Sequence, residues 1–355
     1  MDRMRLRDLG ITIGRFKTGK YNSITDIQGV KVGHVTLSHE TDDGRKVQTG
    51  VTAILPHSDN IFQEKVVGNS YIINGFGKTV GTIQLQELGV IESPILLTNT
   101  FSVPAVWEGT IRYLLDQNPQ IGTTTGTANV IVGECNDGYL NDIRGLHVKP
   151  EHAHQAIVSA ASGIVEEGCV GAGTGMSCLG YKGGIGTSSR MADFGERQYT
   201  VGAFVLSNFG ERKDLRIPGG GLLETEDREK MPDGSIMMIL ATDAPLNDRQ
   251  LKRLAKRASF GLSRTGSYAA HGSGDIVIAF STAHRIPHEW PSNQGTLSFN
   301  FLREDGRFIS QLFEMSVDAV EEAIWNSICK ATTTEGNHGR IREEIPYQIF
   351  AGPSS

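Results

Sequence analysis

The feature that most constrains this chain is an abrupt change of character at Gly234. Residues 211–234 carry many charges, a Gly219-Gly220-Gly221 run, Pro218 and Pro232. Ser235-Ile236-Met237-Met238-Ile239-Leu240-Ala241 follows at once, almost wholly apolar. The first stretch reads as a linker, because Gly, Pro and charge resist regular packing. The second is short and does not alternate, which fits a strand buried on both faces. Such a strand needs a layer above and a layer below it, so a layered α/β fold is expected.

The rest of the chain mixes strands and helices. Turn-then-strand character runs over Ile24–Thr36, and strands are expected at Gly50–Leu55, Val66–Ile73, Ile95–Thr98, Val130–Glu134, Tyr199–Ser207 and Asp275–Phe280. Helical spacing predicts Thr79–Leu88 with Val80, Ile83 and Leu88 on its apolar face, and Val103–Leu115 with Val106, Ile111, Leu114 and Leu115. It also predicts His152–Glu167 with Ala156, Ile157, Ala160 and Ile164, then Pro245–Phe260 and Ser316–Ala331. Two Gly-rich pieces lie around Gly171–Gly175 and Gly183–Gly186.

Composition narrows the function classes. A formal charge of −6 without a basic run does not indicate a nucleic-acid surface. Cys135, Cys169, Cys178 and Cys329 form no CxxC pair, so neither a zinc site nor any other metal or cofactor is expected. The start, Met1–Asp8, has no apolar segment, and no apolar run approaches the ~20 residues of a spanning helix. A cytoplasmic protein without membrane partners is expected.

Four places could carry chemistry. In Pro232-Asp233-Gly234-Ser235, glycine leaves little bulk around a carbonyl that the Ser235 hydroxyl could attack. Cleavage there would give Ser235 a free α-amine, whose reference pKa of about 7.7–8 suits a base near neutrality. In His271-Gly272-Ser273-Gly274-Asp275, residues two apart in extended chain face one side, so Ser273 and Asp275 could act together. The loop Gly133–Asp142 crowds carboxylates, amides and a phenol; Tyr139 could donate to an oxyanion and Glu134 could bind a cation. Asn208, ending a strand, could donate to a developing negative charge. Taken singly, each reads as an ordinary polar turn at a strand end.

Taken in order, the motifs resemble the DmpA-type L-aminopeptidase/D-esterases and the β-peptidyl aminopeptidases. Gly234-Ser235 with Ile236–Leu240 and Ala241-Thr242-Asp243-Ala244-Pro245-Leu246 is similar to their self-processing site. Asp137–Asp142 is similar to their oxyanion loop. Gly171–Met176 and Lys182–Arg190 resemble their Gly-rich block, and Gly272–Ile276 their second-serine block. The matches run from roughly Asp26 to Ala331.

The resemblance implies Ser235 as nucleophile, Ser273 and Asp275 as its support, and Tyr139 and Asn208 at the oxyanion. Some members carry a glutamate where this chain has the shorter Asp275. It further implies a four-layer α-β-β-α sandwich forming one domain over 1–355, cleaved into 1–234 and 235–355 and assembled as a homotetramer. Substrates would be small peptides, amides or esters with a free amine, which Glu134 would read. A dinucleotide site does not fit, because the third Gly of Gly171-Ala172-Gly173-Thr174-Gly175 comes one place early. An acyltransferase of the ornithine acetyltransferase type, which uses Thr as the new N-terminus, is the alternative, with a non-catalytic binding protein on the same fold beside it.

Overall fold

A computed structural model describes residues 3–223, 234–290, 293–304 and 306–350. Its first half holds β1 (Lys31–Glu40), β2 (Lys46–Leu55), β3 (Glu64–Gly75), α1 (Thr82–Leu88), β4 (Val90–Ile91), β5 (Ile95–Asn99), α2 (Val103–Gln117), β6 (Ile131–Cys135) and α3 (Pro150–Val158). Then come β7 (Ser177–Cys178), β8 (Tyr181–Lys182), β9 (Gly184–Phe194), β10 (Arg197–Asn208), β11 (Ser235–Thr242), α4 (Asp248–Thr265), β12 (Gly274–Pro287), α5 (Arg307–Cys329), β13 (Thr334–Glu335) and β14 (Ile341–Arg342).

Two sheets dominate the described residues. One has the order β1-β2-β5-β6 and the other β4-β3-β12-β11-β10-β9. Helices α2 and α3 pack on the first, and α4 and α5 on the second. Strand β11 shows why its sequence reads as it does. Met237, Ile239 and Ala241 join a core shared with Leu97 and Val132 of the smaller sheet. Ile236, Met238 and Leu240 join another with Leu254 of α4 and Trp325 of α5. Side chains alternate between faces along a strand, so burial on both demands apolar residues at every position.

The Gly-rich stretch Gly184–Gly186 begins β9, a strand the sequence reading passed over. A Cβ on Gly186 would sit 1.9 Å from the Ala323 carbonyl oxygen, so the glycine lets α5 lie directly on the sheet. Lys182 is buried and ties this block together, donating to the carbonyls of Gly173 and Gly183. Arg190 is buried against Glu322 of α5 at 2.6 Å. These residues hold backbone together, which explains the glycines without a bound phosphate.

Three helical expectations need correction. The first helix starts only at Thr82, after Gly81 at φ +86°, and is under two turns long. So short a helix sends one side chain inward, Leu85, and leaves Ile83 (87 %) and Leu88 exposed. Helix α3 stops at Val158, well short of Glu167; Gly163 at φ +104° is incompatible with a right-handed helix, and Ile164 is solvent-exposed. Leu115 of α2 also faces water. Of the expected linker, residues 224–233 lie outside the described ones. Cys135, Cys178 and Cys329 are buried free thiols and Cys169 is half-buried. No helix among the described residues is long and apolar enough to cross a membrane.

Candidate active site

The site forms where three strand ends coincide. Strand β11 runs antiparallel to β10 and parallel to β12, so the end of β10 lies beside the starts of the other two. In register, Ser235 stands between Asn208 and Gly274. Three segments distant in sequence thus bring Ser235, Asn208, Ser273 and Asp275 to one edge of the sheet.

The Gly234–Ser235 junction is tightly set. Ser235 Oγ donates to the Gly234 carbonyl oxygen at 2.7 Å. The Gly274 amide donates to Ser235 Oγ at 3.2 Å and reaches the same carbonyl at 3.3 Å. The hydroxyl therefore lies against the carbonyl it would attack, with a backbone N–H already polarising that carbonyl. Gly234 is itself required by packing: a Cβ would fall 2.4 Å from the Asn208 carbonyl and 2.5 Å from the Phe209 Cα.

Ser273 Oγ donates to Asp275 Oδ1 at 2.7 Å, so the shorter acid reaches it directly. Asp275 is wholly buried and its Oδ2 has no hydrogen-bond partner. Burial pushes its carboxyl up to about 6, and the Ser273 bond opposes that only in part. The turn carrying Ser273 is held by Asn74 of β3, whose amide donates to the carbonyls of Ala270, His271 and Ser273.

Tyr139 and Asn208 line one cavity of about 300 Å³ together with Gly234. Asn208 Oδ1 accepts from the Ser177 amide at 2.8 Å, and Nδ2 donates to the Asn136 carbonyl at 2.9 Å. An amide carries two N–H donors, so one remains for a ligand. The Tyr139 turn is closed by Leu140 and Asn141 amides donating to the Asp137 carbonyl. Its ring lies under the guanidinium of Arg342, 3.8 Å from the ring centre, with Arg340 at 5.1 Å. Asp137, buried beneath the turn, is pushed up to about 7 by desolvation.

Glu134 does not line that cavity. It is buried at the end of β6, accepting from the Lys78 amide at 2.8 Å and from the Thr100 hydroxyl. A Cβ on Gly77 would lie 3.4 Å from Glu134 Oε1 and 3.7 Å from the Gly274 Cα. Glu134 therefore sits on the β12 side of Ser235, opposite the Asn208–Tyr139 cavity. Among the described residues no cluster of three His, Cys, Asp or Glu could hold a metal ion.

The Gly274 amide, Asn74 and Ser177 escaped the sequence reading. A backbone donor carries no side-chain signature, and Asn-Gly, as at Asn74-Gly75, has the composition of an ordinary turn.

With this geometry in place, likeness to known proteins decides the family. A model of "Peptidase family S58" matches residues 22–342. The chain belongs to peptidase family S58. The beta-peptidyl aminopeptidase BapA of Sphingosinicella microcystinivorans is 39 % identical over 97 % of this chain and 90 % of its own length. A solved protein of Pyrococcus horikoshii OT3 superposes with a TM-score of 0.90 at 51 % identity, covering 98 % of this chain and 97 % of that one. The L-aminopeptidase D-Ala-esterase/amidase of Ochrobactrum anthropi, described as a variant of the Ntn hydrolase fold, gives 0.88 at 36 % identity, covering 97 % and 96 %. Membership in S58, of the DmpA and BapA type, makes the chain a hydrolase of mixed α and β structure with aminopeptidase function.

Proposed function

We propose that the chain is a self-processing serine aminopeptidase of four-layer α-β-β-α architecture, maturing into 1–234 and 235–355. The observation that carries this reading is the Ser235 hydroxyl held 2.7 Å from the carbonyl oxygen of the preceding peptide bond. In maturation, Ser235 Oγ attacks the Gly234 carbonyl carbon and its proton passes to the Ser273–Asp275 pair. The C–N bond breaks, the nitrogen takes a proton, and an ester links Gly234 to Ser235 Oγ. Water hydrolyses the ester, leaving a Gly234 carboxylate and Ser235 with a free α-amine.

In turnover the same oxygen attacks the substrate carbonyl, the α-amine accepts its proton as a local base, and Ser273, oriented by Asp275, supports that transfer. Asn208 Nδ2 and the Tyr139 phenol stabilise the oxyanion. The amine leaves with the proton, and water releases the acyl group from Ser235. Glu134 reads the substrate's ammonium through a charge-assisted hydrogen bond. Substrates are small peptides, amides or esters with a free amine, and no cofactor takes part. The processed subunits assemble as a homotetramer in the cytoplasm.

The test is one aminoacyl p-nitroanilide with and without an N-acetyl group. Acetylation removes the charge and leaves Glu134 desolvated without its partner. Cleavage of the free-amine form alone is expected; equal rates on both would overturn the reading in favour of a general amidase.

A further inference from the structure

The cavity beside Ser235 contains two donors that the reaction above does not use. Ser177 lines it and is only 3 % exposed, yet its Oγ is buried without any hydrogen-bond partner. A buried unpaired hydroxyl is costly unless something accepts from it. Its backbone amide is engaged with Asn208, which fixes the residue in the wall. Arg340 forms the rim. Its side chain is exposed, lies over the Tyr139 ring, and donates to the Tyr139 carbonyl at 3.3 Å. Among the described residues none of its contacts is to a carboxylate, and none that lines the cavity is acidic. A guanidinium has five donors in a planar fork suited to a carboxylate, and one carbonyl leaves most of them unused.

Position decides which part of a substrate comes here. Glu134 stands on the β12 flank of Ser235, and this cavity on the β10 flank, behind Asn208. A substrate whose ammonium meets Glu134 and whose carbonyl meets Ser235 extends its departing amine towards Ser177 and Arg340. We propose that this cavity is a carboxylate subsite: Arg340 and Ser177 bind the C-terminal carboxylate of the leaving amino acid, so that free dipeptides are the preferred substrate class. The inference rests on the aminopeptidase reading and adds to it a group that reads the far end of the substrate. At about 300 Å³ the cavity has room for a single amino-acid residue and little more.

The test compares a dipeptide with its C-terminal carboxamide, both built on the amino acid whose p-nitroanilide is cleaved best. Wild-type enzyme is expected to favour the acid in kcat/KM by about tenfold, the scale of one charge-assisted contact at a partly exposed rim. In Arg340→Ala the acid-to-amide ratio falls to near one, and Arg340→Lys keeps part of it, since a point charge lacks the fork. Ser177→Ala lowers the ratio less. Raising salt shrinks the wild-type ratio, because an exposed ion pair is screened. A wild-type ratio near one, or a ratio that survives Arg340→Ala, overturns the subsite and leaves the aminopeptidase standing. If wild-type enzyme cleaves neither compound nor any aminoacyl p-nitroanilide, the underlying reading fails and the subsite with it.

Discussion

Asp275 is the residue whose chemistry is most sensitive to its surroundings. Burial raises its pKa from 3.8 to about 6. Its contribution to stability is thus fully present below about pH 3.8 and is lost as pH rises through 6. The carboxylate that can draw the proton from Ser273 appears over the same rise. Self-cleavage of freshly refolded precursor is expected to accelerate as pH passes about 6, followed as fragment formation on denaturing gels; a rate flat across that range contradicts it. Asp275→Asn keeps an acceptor for Ser273 but removes a buried charge. In an uncleaved Ser235→Ala background at pH 8 it should raise the melting temperature, and a fall would show that the charge is paired after all. Ser273→Ala, in enzyme that has matured, should lower kcat on the order of 10²-fold with little change in KM. Turnover at the wild-type level would remove Ser273 from the mechanism. Gly234 has a packing role beside its chemical one. Because a Cβ there meets the backbone of Asn208 and Phe209, Gly234→Ala must push the end of β10 away. Slower maturation, with fragments appearing about fivefold to thirtyfold later, is expected for about 1–2 kcal/mol of such strain.

At the scale of elements, β11 was the most legible part of the sequence. Every residue from Ser235 to Thr242 is buried, so its apolar run had one reading. The helices were less legible because caps and neighbours, not periodicity, set their limits. Gly81 delays α1, and positive φ at Gly163 rules out the long third helix. Helix α5 begins at Arg307, nine positions before the expected Ser316, where Phe308 and Phe313 extend its apolar side. The candidate residues themselves were all visible as polar positions at strand ends. What the sequence could not give is that three of those ends meet, since pairing of β11 with β10 and β12 is a long-range choice. Nor did it separate Glu134, at the end of β6, from Tyr139 in the turn that follows, of which only Tyr139 lines the cavity. The glycines of β9 were visible only as part of a Gly-rich piece. Gly184 makes room for the Gly168 backbone and Gly186 for α5, so Gly186→Ala should destabilise the precursor by about 1–3 kcal/mol in chemical denaturation. A loss below about 0.5 kcal/mol would mean the helix can move aside freely.

For the whole molecule, the proposed cut would fall at the start of a central strand. Strand β11 and β12 would belong to 235–355, whereas β10 on one side and β3 on the other belong to 1–234. Each fragment would then complete the other's sheet, and both cores draw residues from either side of the cut. The fragments should therefore stay together through gel filtration and separate only in denaturant. That arrangement would also tie maturation to activity, because the residue freed by the proposed cut would be the one that attacks the substrate. The most direct measurement is the intact mass, under denaturing conditions, of purified wild-type and Ser235→Ala protein prepared side by side without other proteases. Wild type should give two masses corresponding to 1–234 and 235–355, and Ser235→Ala one uncut mass with no aminopeptidase activity. Cleavage of Ser235→Ala at the same bond, or an uncut wild type that still hydrolyses aminoacyl p-nitroanilides, would contradict the account.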